Sequence, residues 1–84
     1  MYSPEALDDI QYWKKSGDRN IMSKISALVS SIEKTPFSGI GKPEALKYDL
    51  AGCWSRRISK EHRLVYRVLG NKLIEIISLR FHYQ

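Results

Sequence analysis

Cysteine is almost missing from this 84-residue chain: Cys53 stands alone. One cysteine excludes an internal disulfide and a cysteine-based zinc site, and it fits a reducing compartment. Long apolar runs are missing as well. No stretch approaches the roughly 20 residues that a membrane-spanning helix needs. The opening Met1-Tyr2-Ser3-Pro4-Glu5 has no basic segment and no apolar segment of the secretory kind. A cytoplasmic protein without a membrane partner is expected. There is no internal repeat and no low-complexity segment. The length predicts a single domain over residues 1–84, with a thin core that buries somewhat over about 60% of the unfolded surface.

Acidic residues are the scarcer charge, nine against fourteen Lys and Arg, for a net charge of +5. Residues 1–38 carry five of each sign, and residues 39–84 carry nine basic against four acidic. A neutral half joined to a basic half predicts a scaffold plus a surface for an anion, of which nucleic acid is the common large kind.

The neutral half reads as two helices. Ser3 caps and Pro4 suits the first helical position. Ala6, Leu7, Ile10 and Trp13 follow at helical spacing, and Ser16-Gly17 ends the run. Asp18 caps a second helix in which Ile21, Met22, Ile25, Leu28, Val29 and Ile32 form one apolar stripe, stopped by Thr35-Pro36. A short glycine turn between two amphipathic helices makes an antiparallel pair.

Residues 36–52 hold two prolines and three glycines. This predicts a long loop with a short strand or helical turn near Glu44–Tyr48. Three strand-like runs follow, Cys53–Ile58, Arg63–Leu69 and Lys72–Phe81, the last two joined by Gly70-Asn71. The expected fold is therefore α+β: two N-terminal antiparallel helices packed on a small, mainly antiparallel twisted sheet.

Pairing Leu69 with Lys72 sets Arg63 opposite Ser78, and pairing Ile58 with Arg63 sets Arg56 opposite Val65. Alternation then gathers Arg56, Arg63, Arg67, Ser78, Arg80 and His82 on one face. Leu64, Tyr66, Val68, Leu73, Ile77, Leu79 and Phe81 take the other, with Arg57 and Glu75 as exceptions.

An RNA strand on the basic face could be cut through its own 2′-hydroxyl. That needs a base, an acid and cations around the crowded phosphorus, with no metal or cofactor. Glu44 is the candidate base, with Glu61 the other carboxylate nearby. His82 and His62 are candidate acids. Arg56, Arg57, Arg63 and Arg80 can grip phosphate as a fork, and Lys42, Lys47 and Lys60 add positive field. Tyr48, Tyr83 and Phe81 offer faces for an unpaired base. The residue types alone leave a non-catalytic RNA-binding or DNA-binding module open.

Thr35-Pro36-Phe37, Gly41-Lys42-Pro43-Glu44-Ala45-Leu46-Lys47, Leu50 through Ile58 and Glu61-His62-Arg63-Leu64-Val65-Tyr66, with His82-Tyr83, closely resemble the YoeB/Txe toxins of the RelE superfamily. The resemblance runs end to end. It implies a ribosome-dependent endoribonuclease that cuts mRNA in the A site, with Glu44 as base, Arg63 stabilising the transition state, His82 as acid and Tyr83 placing substrate. It puts Lys47, Arg56 and Arg57 in the RNA-holding face and gives His62 a supporting role. It implies a cognate antitoxin related to Phd and YefM, and a possible homodimer. A gyrase-poisoning relative on the same scaffold is the rival reading. Such chains begin with an edge strand, which only Met1 and Tyr2 are here to supply.

Overall fold

The computed structural model of the chain describes residues 1–71 and 73–81. Its order is α1 (Pro4–Ser16), α2 (Arg19–Lys34), β1 (Glu44–Ala45), a 3-10 turn (Tyr48–Leu50), β2 (Trp54–Arg57), β3 (Arg63–Gly70) and β4 (Leu73–Ser78). The four strands form one sheet in sequence order, antiparallel at every pairing. The expected α+β layering is observed.

The caps act as the residue types dictate. The Ser3 hydroxyl accepts from the Ala6 N–H and the Asp18 carboxylate accepts from the Ile21 N–H, so each satisfies one of the free donors at a helix start. The N-terminal edge is very short. Tyr2 makes a single parallel bridge to Ile76, flanked by Ser3 N–H to Ile76 O at 2.9 Å and Ile76 N–H to Met1 O at 2.8 Å. The core lies between helices and sheet: Ala6, Trp13, Ile25, Leu28 and Ile32 meet Ile58, Leu64, Tyr66, Ile74, Ile76 and Leu79.

The registers differ from those expected, and the differences move side chains between faces. Arg57 pairs with Arg63 and Arg56 with Leu64, one step away from the expected alignment. Because strand side chains alternate, that step turns Arg56 inward and Arg57 outward. The β3–β4 ladder shifts twice, between Val65 and Tyr66 and between Val68 and Gly70. Residues Ile77 and Leu69 are the extras, and each reverses the parity beyond it. Leu64, Tyr66 and Val68 keep the core face as expected, but their β4 partners are Ile74 and Ile76 rather than Leu73 and Ile77. Glu75 falls on the other face, where its carboxylate takes the Arg67 Nε–H at 2.8 Å. Phe81 is exposed rather than part of the core.

Candidate active site

The loop before β1 is the first part of the site to be fixed, and Arg56 fixes it. Its side chain is fully buried. Nε donates to the Tyr66 hydroxyl at 3.2 Å. Nη1 donates to Ser31 Oγ at 2.8 Å and to Ile40 O at 3.1 Å. Nη2 donates to Thr35 O and Ser38 O, both at 2.7 Å. The guanidinium thus sits at the C-terminal end of α2, where the helix dipole is negative and carbonyls lack partners. The Tyr66 hydroxyl in turn donates to Pro36 O, and burial pushes the phenol pKa up against the opposing effect of Arg56. Arg56 was expected to grip RNA on the open face. It is instead an internal staple, because the register turns it inward.

Gly41 completes the loop. Its φ is +84°, and a Cβ there would stand 2.6 Å from Leu28 Cδ2. Its carbonyl accepts from the Arg57 N–H at 2.7 Å. Only glycine combines that backbone with that proximity.

With the loop held, β1 presents Glu44 opposite Ser55. Following the pairings across the sheet, Glu44, Ser55, Val65 and Ser78 form one row on the face away from the helices. Arg57 and Arg63 pair beside that row. Arg63 Nη1 lies 3.6 Å from Glu44 Oε1, with the arginine side chain largely buried and the carboxylate largely exposed. That distance gives attraction without a close hydrogen bond. Arg63 Nε, Ser55 Oγ and Ser78 Oγ are buried and have no hydrogen-bond partner among the described residues. Buried donors are normally paired, so a cationic floor with unused donors is suited to an incoming anion.

The other predicted cations are placed unevenly. Lys42, Lys47 and Arg57 are exposed. A shallow depression of about 430 Å³ is lined by Lys24, Lys42, Arg57 and Lys60, so Lys24 of α2 joins a patch that sequence spacing did not reveal. Arg80 does not stand in line with Arg63. The strand ends at Ser78, and the Arg80 guanidinium lies 3.6 Å from the Tyr12 ring centroid and 4.6 Å from that of Phe81. His82 and Tyr83, the predicted acid and its neighbour, lie outside the described residues. His62 is near the end of the described chain, where its Nδ1 accepts from the Phe81 N–H at 2.9 Å.

A helical pair on a four-stranded antiparallel sheet, with a carboxylate and an arginine facing each other on the outer face, defines a class of small α+β proteins. A family model for the YoeB-like toxin of bacterial type II toxin–antitoxin systems matches residues 2–83. Toxin YoeB of Escherichia coli strain K12 is 48% identical over 83 residues, which are 99% of this chain and 96% of that one. The YoeB/ParE toxin from Agrobacterium tumefaciens superposes with a TM-score of 0.93 at 46% identity, covering 99% of this chain and 96% of that one. The toxin in the YoeB–YefM complex from Staphylococcus aureus gives 0.88 at 43% identity, covering 99% and 94%, and a YoeB dimer from Staphylococcus aureus gives 0.87 at 45% identity, with the same coverage. This chain belongs to the YoeB family of type II toxin–antitoxin toxins.

Proposed function

We propose that the chain is an endoribonuclease toxin, acting as one domain over residues 1–84, that cuts mRNA in the ribosomal A site and so stops translation. The observation that carries this reading is the approach of Glu44 to Arg63 at 3.6 Å, above buried donors that have no hydrogen-bond partner among the described residues. Glu44 takes the proton from a ribose 2′-hydroxyl. The 2′-oxygen attacks phosphorus and the bond to the 5′-oxygen breaks. Charge that gathers on the phosphorane oxygens is met by Arg63, whose fork reaches two oxygens at once. His82 gives a proton to the departing 5′-oxygen, leaving a 2′,3′-cyclic phosphate and a 5′-hydroxyl. Tyr83 helps place the substrate. The roles of these last two follow from the family pattern.

Arg57, Lys42 and Lys47 hold the RNA backbone beside this centre, with Arg80 at its margin. The partners that fit are the ribosome with its mRNA and an antitoxin of the Phd/YefM kind, whose acidic segment would cover the basic face. A homodimer is the assembly to test first, given the solved dimer of the S. aureus relative.

Primer extension on a translated mRNA tests the reading. Wild-type protein is expected to give A-site cuts, and Glu44→Ala and His82→Ala to lose them. Unchanged cutting by both variants would sink the residue roles. No cutting by wild type, with DNA supercoiling lost instead, would favour gyrase poisoning.

A further inference from the structure

The end of the described chain runs through a guide that the chemistry above does not use. At Leu79, the N–H donates to Asp9 Oδ2 at 2.8 Å and the carbonyl accepts from Trp13 Nε1 at 3.0 Å. Asp9 and Trp13 are one turn apart on α1. Two residues on, the Phe81 N–H donates to His62 Nδ1 at 2.9 Å and the Phe81 carbonyl accepts from the Arg63 N–H at 3.0 Å. Both peptide groups of Leu79 and both of Phe81 are therefore held by side chains or backbone from elsewhere in the fold. Phe81 has φ +65°, a region that residues with a side chain rarely enter and that surroundings must impose.

His62 is the hub of the second grip. Its ring meets Trp13 edge to face at 4.9 Å between centroids and lies 5.7 Å from the Phe81 ring. Because Nδ1 accepts, the proton of the neutral ring is on Nε2. The next residue in sequence after Phe81 is His82. The other half of the grip is the backbone of Arg63, whose guanidinium faces Glu44. One dipeptide, His62-Arg63, thus holds the residue before the proposed acid while carrying the proposed transition-state cation.

We propose that His62 is a positioning residue for the chain end: its Nδ1 holds the Phe81 amide and so fixes the backbone of the residue that precedes the proposed acid. The chemical half of this rests on the ribonuclease reading, whereas the hydrogen bond does not. The bland competitor is that His62 serves only as an aromatic spacer against Trp13. Two substitutions separate them. His62→Asn keeps an acceptor near the Nδ1 position and loses the ring. His62→Phe keeps the ring and loses the acceptor.

The readouts are hydrogen exchange at the Phe81 amide, single-turnover mRNA cleavage on the ribosome, and ribosome binding. In His62→Phe, Phe81 exchange is expected to quicken by about tenfold or more, as expected when a local hydrogen bond is lost. Cleavage is expected to slow by about 10- to 100-fold, since a small misplacement of a reacting group costs that much, with ribosome binding unchanged. His62→Asn is expected to keep Phe81 protection and to retain cleavage within about threefold of wild type, because the acceptor is what matters. Exchange unchanged in His62→Phe overturns the inference. So does a His62→Asn protein that keeps Phe81 protection and still loses cleavage. Failure of wild type to cut any RNA overturns the ribonuclease reading and this proposal with it, whereas cleavage by wild type with normal cleavage by His62→Phe overturns this proposal alone.

Discussion

Arg56 and Arg57 are neighbours in sequence and end in opposite environments. Arg57 is exposed on the sheet face that carries Glu44 and Arg63. Arg56 points the other way and spends its donors on Tyr66, Ser31 and three loop carbonyls. Replacing Arg56 by Met fills similar space and leaves those acceptors without their donor. Several can reach water by loosening the loop, so the cost falls short of a full sum. A loss of about 2–4 kcal/mol in unfolding free energy is expected, read from the denaturant midpoint. The same substitution at Arg57 should stay within about 0.5 kcal/mol, as for other surface changes. Equal stability of the two variants would show that the staple does not hold.

At the scale of elements, α1 acts as a clamp on the segment after β4. Asp9 and Trp13 take the two peptide groups of Leu79, so the helix sets where the chain leaves the sheet. Burial raises the Asp9 pKa above its ordinary value, opposed by the Leu79 N–H and by Arg80, and reinforced by Glu5 and Asp8. The sign follows directly. The folded state holds the Asp9 proton more tightly than the unfolded chain does. The contribution of this group to stability is therefore full below the ordinary carboxylate range and is lost as pH rises through the raised value. Asp9→Asn keeps an oxygen to accept from Leu79 and cannot titrate. Its stability relative to wild type is expected to improve as pH goes from about 3 to about 7. Urea unfolding across that range checks it, and a constant difference would contradict it.

The elements were more legible in the sequence than their registers. Capping residues and the spacing of Ile21, Met22, Ile25, Leu28, Val29 and Ile32 were enough for the helices, because helix formation is local. The strands were legible as runs, and the loop near Glu44 as holding a short strand or a helical turn, of which the structure has both. The bulges at Leu69 and Ile77 were not, since an extra residue in a ladder leaves no mark on side-chain type. Arg56 was misassigned because the β2–β3 register lies one step from the expected one, which residue types do not mark, and for a second reason. Its partners are backbone carbonyls between Thr35 and Ile40, and every residue has a carbonyl. Glu44 and Arg63 were nameable as candidates from residue type and their roles from the family resemblance, but their approach to each other was not legible, since they stand nineteen positions apart in sequence and only the fold brings them to one face.

Across the whole molecule, a helical layer backs a sheet whose outer face presents Arg57 and Arg63. Among the described residues no helix is long and apolar enough to cross a membrane. The cations of Lys24, Lys42, Arg57 and Lys60 extend the positive surface beyond the Glu44–Arg63 centre, which favours capture of a polyanion before any chemistry. The proposed ribonuclease activity depends on a division of labour between that capture surface and the Glu44–Arg63 pair. Arg63→Lys tests it most directly: the charge remains and the two-pronged contact is lost. The measurement is single-turnover cleavage of ribosome-bound mRNA at saturating toxin, with binding to the ribosome followed in parallel. The predicted result is a rate at least about tenfold below wild type with binding little changed, as befits a group that acts on charge developing in the transition state. A rate close to wild type, or a loss that appears only in binding, would contradict a catalytic role for Arg63 and leave it as one more cation on the capture surface.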